Sequence, residues 1–165
     1  MRRTLQLMSA LALFFCALNL NAQNEAPKVT VKNVKGAAVT IIDSQYHFPY
    51  DISDNKQHVA IQGFGESQSF YWSENTGLIE VDGTVCAISD DGIMAGYYTN
   101  DQGMVVSGLW HPDMQQWQFL GMNPDYPEFF TDNPDYNNAW AMSNDGLHVG
   151  IMQFGPDWST TTYVW

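Results

Sequence analysis

Three segments of the chain align without gaps over eleven positions, and this repetition limits the possible fold more than any other feature: Ile52-Ser-Asp-Asn-Lys-Gln-His-Val-Ala-Ile-Gln62, Ile88-Ser-Asp-Asp-Gly-Ile-Met-Ala-Gly-Tyr-Tyr98 and Met142-Ser-Asn-Asp-Gly-Leu-His-Val-Gly-Ile-Met152. A unit this small cannot bury an apolar face alone, so the copies must stack on one another. Each copy places Ser53, Ser89 or Ser143 before two Asp/Asn positions, followed by Lys56, Gly92 or Gly146. Asp91-Gly92 and Asp145-Gly146 supply a residue that accepts positive φ between two strands, which is a hairpin signal. Lys56 stands in for that glycine in the first copy, which predicts a more strained turn or one of another type. The serine hydroxyls stand where a short side chain satisfies a backbone group that the strand ladder leaves free.

Beyond each turn the two-residue period puts Val59 and Ile61, Ala95 and Tyr97, and Val149 and Ile151 on one strand face, and Ala60, Gly96 and Gly150 on the other. A tiny residue at the same place in every copy predicts close approach of a neighbouring backbone or sheet. About twenty residues after the start of each copy comes a strand ending in tryptophan, at Trp72, Trp110 and Trp165. Further strands are expected at 78–81 and 117–120, and the segments 85–88 and 139–142 lead into the next turn. Four short strands per unit is the size of a propeller blade. Residues 29–34 and 37–43 flank Lys35-Gly36 and read as a hairpin left from an incomplete preceding blade. No stretch carries sustained helical periodicity. The expected fold is therefore all-β: a β-propeller-like repeat of four-stranded antiparallel blades in about three units, starting near residues 52, 88 and 142. Closed rings use about four to eight blades, so an incomplete or open ring is expected.

Residues 1–22 read as a signal peptide: Arg2 and Arg3 precede an apolar run from Leu11 to Leu18, with small or polar residues after it. The β-repeat domain then occupies 23–165 and the protein is exported, to the periplasm, the cell surface or beyond. No later segment has the length of a membrane-spanning helix. Beyond the signal the chain keeps all 18 acidic residues against only Lys28, Lys32, Lys35 and Lys56, making it more acidic than the −12 of the whole sequence. Such a field repels nucleic acid and anionic lipid and keeps an exported protein soluble. With Cys16 removed, Cys86 is the sole cysteine and no intrachain disulfide can form; in Val85-Cys86-Ala87-Ile88 it reads as a small buried hydrophobe.

The run Ile88-Ser-Asp-Asp-Gly-Ile-Met-Ala-Gly-Tyr97, followed by Ser107-Gly-Leu-Trp110, resembles the HAF-type extracellular repeats, whose units run apolar-Asn-Asn-Ser-Gly-x-Val-Val-Gly-Tyr and then His-Ala-Phe-Leu-Trp. The resemblance covers most of residues 50–165 and rests on the turn, the glycine and the tryptophan, since the His-Ala-Phe triplet itself does not occur. It implies propeller-like architecture in exported bacterial proteins, without a general enzymatic activity.

Motifs for hydrolytic, phosphate-binding or zinc chemistry are not found, and no catalytic residues are assigned. His58 and His148 share a repeat position, with Met94 as their counterpart, which makes a metal site conceivable; satisfied or solvent-facing strand histidines weigh more heavily. His47 and His111 show no ligand spacing with them. The acids Asp54, Asp90, Asp91 and Asp145 read as structural turn residues. The second unit carries an insertion of 18 residues, at 121–138, because the copies start 36 and then 54 residues apart. Loops of this length are frequently binding elements: Tyr126, Phe129, Phe130 and Tyr136 offer rings for a sugar or peptide, and the acidic oxygens offer calcium ligands without EF-hand spacing. A proline-kinked cover over a sheet edge weighs against both. The functional expectation is a non-catalytic extracytoplasmic interaction or scaffold module for a glycan or protein, with a fragment or subunit of a secreted propeller-type hydrolase as the alternative. The residues carry no signal for an oligomeric state.

Overall fold

The computed structural model describes residues 26–34, 37–44, 47–64, 68–121, 137–154 and 160–165. The signal segment and Tyr126, Phe129, Phe130 and Tyr136 of the insertion lie outside the described residues. Among those described there is no helix, and all strand pairs are antiparallel. Strands β1 (Lys28–Val34) and β2 (Ala37–Asp43) form a two-stranded sheet. Strands β3 (His47–Ile52), β4 (His58–Gly63), β5 (Ser69–Ser73) and β6 (Gly77–Val81) form a four-stranded sheet in chain order. So do β7 (Thr84–Ile88), β8 (Met94–Thr99), β9 (Val105–His111) and β10 (Gln116–Phe119), while β11 (Asn137–Met142), β12 (Val149–Phe154) and β13 (Thr160–Val164) form a three-stranded sheet. Over the described residues the molecule is all-β, built of open propeller-like blades rather than a closed barrel.

The blades begin one strand earlier than the repeat read from sequence. The segment that leads into each turn pairs with the strand after that turn: β3 with β4, β7 with β8 and β11 with β12. Each sheet is thus a meander whose first strand is an edge.

Among the described residues, three apolar clusters sit between consecutive sheets and account for the alternation along the strands. Val59, Ile61, Phe70 and Trp72 pack with Val29 and Ile42 of the β1–β2 hairpin. Ala60, Tyr71 and Val81 from the other face of that sheet meet Val85, Ile88, Met94 and Trp110. Ala87, Ala95, Leu109 and Leu120 meet Ala139, Val149 and Ile151. Both faces of the two four-stranded sheets are therefore covered, which is why β5 is buried along its whole length and why strands such as Ser69-Phe70-Tyr71-Trp72-Ser73 lack polar alternation.

The gapless alignment fails after the turn glycine. Ser53 Oγ and Ser143 Oγ accept from the backbone N–H of His58 and His148, five residues on, at 3.0 Å, but Ser89 Oγ accepts from Ile93, four residues on, at 3.1 Å. The middle turn is one residue shorter, and its strand slides accordingly. Met94, not Ala95, pairs with Ile88 as Val59 pairs with Ile52 and Val149 with Met142. Ala95 rather than Gly96 is thus the counterpart of Ala60 and Gly150, and Ile93 rather than Met94 is the counterpart of the two histidines. Because strand faces alternate with every residue, a one-residue slip exchanges the two sets. It corrects the face assigned to Ala95 and Tyr97 from sequence. Gly96 nonetheless occupies a close approach: a Cβ there would lie 2.0 Å from Thr84 O, whereas at Gly150 the nearest atom would be the Ala141 Cβ at 3.6 Å.

Candidate functional site

The site is best built from the first strand of each sheet. In all three, the register with the second strand slips by one residue at the same place: between Pro49 and Asp51, between Val85 and Ala87, and between Ala139 and Ala141. Each slip is a β-bulge whose extra residue is Tyr50, Cys86 or Trp140. A bulge leaves one residue out of the ladder, bends the strand and re-aims its side chain. Because β3 packs on β7 and β7 on β11, the three bulges follow one another across the sheets, with Tyr50 and Trp140 on an exposed rim and Cys86 buried between them.

The rim is aromatic. Tyr50 is 39 % exposed and its ring lies 6.0 Å from that of Phe48, itself 40 % exposed. Trp140 is 43 % exposed and lies 6.5 Å from the half-buried Tyr97 of β8. Between these pairs Cys86 is buried, and burial pushes its thiol up to about 12, so at neutral pH it is a protonated, unreactive group. Partial burial, then the neighbouring Cys86, Tyr97 and Asp51, hold the Tyr50 phenol above its ordinary value, which keeps it a neutral hydrogen-bonding group. Beside Tyr50 opens a groove of about 470 Å³ lined by Ile42, Pro49, Tyr50, Asp51, Ile52 and Val59. That volume lies within the range of pockets that take small molecules. Asp51 is held fixed within that lining: one carboxylate oxygen accepts from Ile52 N–H and the other from Ile88 N–H, both at 2.9 Å, tying the first sheet to the second.

The turns at the ends of these strands tie to one another. Asn55 N–H and its side-chain amide donate to the Asp90 carboxylate and carbonyl at 2.8 and 2.7 Å, Asp90 N–H donates to Asn144 O at 2.8 Å, and the Asn144 amide donates to the Asp54 carboxylate. The Asp/Asn pairs of the repeat are cross-sheet struts. Within the turns, Ser53 and Ser143 also donate to Asn55 and Asp145, and the Ser143 hydroxyl with the Leu147 N–H holds the Asp145 carboxyl below its usual range. Lys56, Gly92 and Gly146 take φ of 62°, 80° and 71°.

Other sequence candidates separate. Trp72 and Trp110 are buried, but Trp165 is 46 % exposed although its backbone pairs with Val149 in both directions. His58 Nδ1 lies 2.7 Å from the hydroxyl of fully buried Tyr71, while His148 is exposed. His47 bonds to Ser44 Oγ at 2.8 Å, and His111 donates to Gln118 at 2.9 Å. Among the described residues, no group of three or more His, Cys, Asp or Glu side chains converges to hold a metal, and no helix is long and apolar enough to cross a membrane.

Sequence reasoning missed the rim. Its signal was available three residues upstream of each repeat serine, where Tyr50, Cys86 and Trp140 align once the copies are extended backwards through Pro49-Tyr50-Asp51-Ile52, Val85-Cys86-Ala87-Ile88 and Ala139-Trp140-Ala141-Met142. No protein-family model matches the chain, and no curated protein or solved structure matches it at a significant level.

Proposed function

We propose that this chain is a non-catalytic interaction module that works outside the cytoplasm and engages its partner through the rim of Phe48, Tyr50, Tyr97 and Trp140. The observation that carries the reading is the repeated bulge: two of its three positions present large rings to solvent from a rigid scaffold. Exposed aromatics are costly to leave in water, and rings fixed on packed strands give contact area at low entropic cost. The Arg2-Arg3 start with its apolar run, and the resemblance to HAF-type repeats, support export. The loop residues Tyr126, Phe129, Phe130 and Tyr136 offer further rings for the partner within the same reading.

The test compares retention of the purified chain on immobilised extracellular polysaccharides and proteins with that of a Tyr50→Ala/Trp140→Ala double variant. Retention that falls at least severalfold, with unchanged unfolding midpoint, supports the rim. Equal retention of the two proteins rules it out as the contact surface.

A further inference from the structure

We propose that the rim takes one extended, uncharged glycan chain laid along its exposed rings, the sugars stacking on Tyr50, Tyr97 and Trp140 and one end entering the groove beside Pro49. This rests on the reading of the rim as the contact surface and names its occupant.

Three features select the occupant. The first is the ladder itself. An edge strand ordinarily invites a peptide to add as a further strand. Here each edge is broken by a bulge, at Tyr50, Cys86 and Trp140, so a continuous peptide strand cannot run in register along any of them. The second is charge. The net charge of −12 opposes an anionic polymer, and Asp51, the one carboxylate lining the groove among the described residues, accepts from the Ile52 and Ile88 N–H groups and so serves the fold. The third is repetition. Tyr50, Tyr97 and Trp140 come from successive sheets, with Tyr97 6.5 Å from Trp140, and a row of rings matches a polymer with its own repeat better than a compact ligand. Aliphatic C–H faces of sugars lie flat on such rings, and the groove lining of Ile42, Pro49, Ile52 and Val59 is mainly apolar, with Tyr50 and Asp51 as its polar members.

The experiment is calorimetric titration of the full chain with neutral gluco-, manno- and N-acetylgluco-oligosaccharides from disaccharide to octasaccharide, with an oligouronate and an oligolysine peptide as comparators. Affinity should rise with oligosaccharide length, and Tyr50→Ala and Trp140→Ala should each weaken it roughly three- to tenfold. Tyr50→Phe and Trp140→Phe should retain most of it, and Phe119→Ala, which removes an exposed ring on β10, should leave it unchanged. Oligolysine binding that is lost in the same alanine variants, with no neutral oligosaccharide bound, overturns the glycan assignment while sparing the rim as a contact surface. Glycan binding that is indifferent to both rim variants overturns the rim and the glycan's placement together, and a blank against the whole panel overturns the proposal.

Discussion

At the scale of single residues, the positive-φ position of the turn separates three substitutions. Gly92 needs its φ of 80° and also the space, since a Cβ there would lie 2.8 Å from His58 Nδ1 and 3.0 Å from the Tyr71 hydroxyl; Gly146 meets nothing closer than the Ser89 Cβ at 3.4 Å. Gly92→Ala should therefore cost about 2–3 kcal/mol and Gly146→Ala only the conformational penalty of about 1–2 kcal/mol. Lys56→Gly, relieving a side chain from a φ of 62°, should be neutral or stabilising by up to about 1 kcal/mol. Urea unfolding of the three variants checks the ranking, and equal losses at Gly92 and Gly146 would contradict it. His58 gives a pH dependence. Burial holds its imidazole below the ordinary value of 6.5, against the opposing pull of Asp91 and Asp90. The folded state resists a proton that the unfolded chain accepts, so stability is full above the unfolded value and declines as pH drops through it. His47, lowered by burial, acts in the same direction. The urea midpoint should fall between about pH 7.5 and about pH 5.5, and His58→Gln should make that fall shallower. An unaltered slope would remove His58 as a cause.

At the scale of elements, equal places in the repeat have unequal energetic weight because burial differs. Trp110 is 2 % exposed between two sheets and touches Tyr71 with ring centroids 5.5 Å apart, while Trp165 is 46 % exposed. Trp110→Ala should cost about 3–5 kcal/mol, and Trp165→Ala considerably less. Gly96→Ala and Gly150→Ala form a second pair. The first forces a methyl to within 2.0 Å of the Thr84 carbonyl oxygen, which backbone cannot yield cheaply; the second adds an ordinary van der Waals contact. Calorimetric scans should show a large drop in Tm for Gly96→Ala and little change for Gly150→Ala. The strands and the turns were readable from residue type, because alternation and Asp-Gly pairs are local signals. The one-residue slip in the second sheet was not, since Ser89-Asp90-Asp91-Gly92 looks the same as its counterpart until Ile93 is seen to return to the ladder early.

At the scale of the whole molecule, stability comes from stacked sheets joined by three apolar clusters and a few polar ties. Asp51 is the tie most open to test. Removing its carboxylate leaves the Ile88 N–H without its acceptor between the first and second sheets, so Asp51→Ala should cost about 1.5–3 kcal/mol, the range for a hydrogen bond to a charged group. Hydrogen exchange should then quicken at the Ile88 amide ahead of the amides within β5. Unchanged protection at Ile88 would show that the tie carries little of the junction. The same variant loosens the groove lining beside Tyr50, linking fold stability to the shape of the rim.

The sequence alone determined the element type, the strand spacing and the need for the units to stack, because two-residue periodicity, turn chemistry and internal repetition are written in local residue order. Only the tertiary structure decided where each sheet begins, how the second strand slides, and that Tyr50 and Trp140 stand on bulges along one rim. Those outcomes depend on which edges and faces meet across tens of residues, and the contacts that choose among the registers exist only once the sheets have packed.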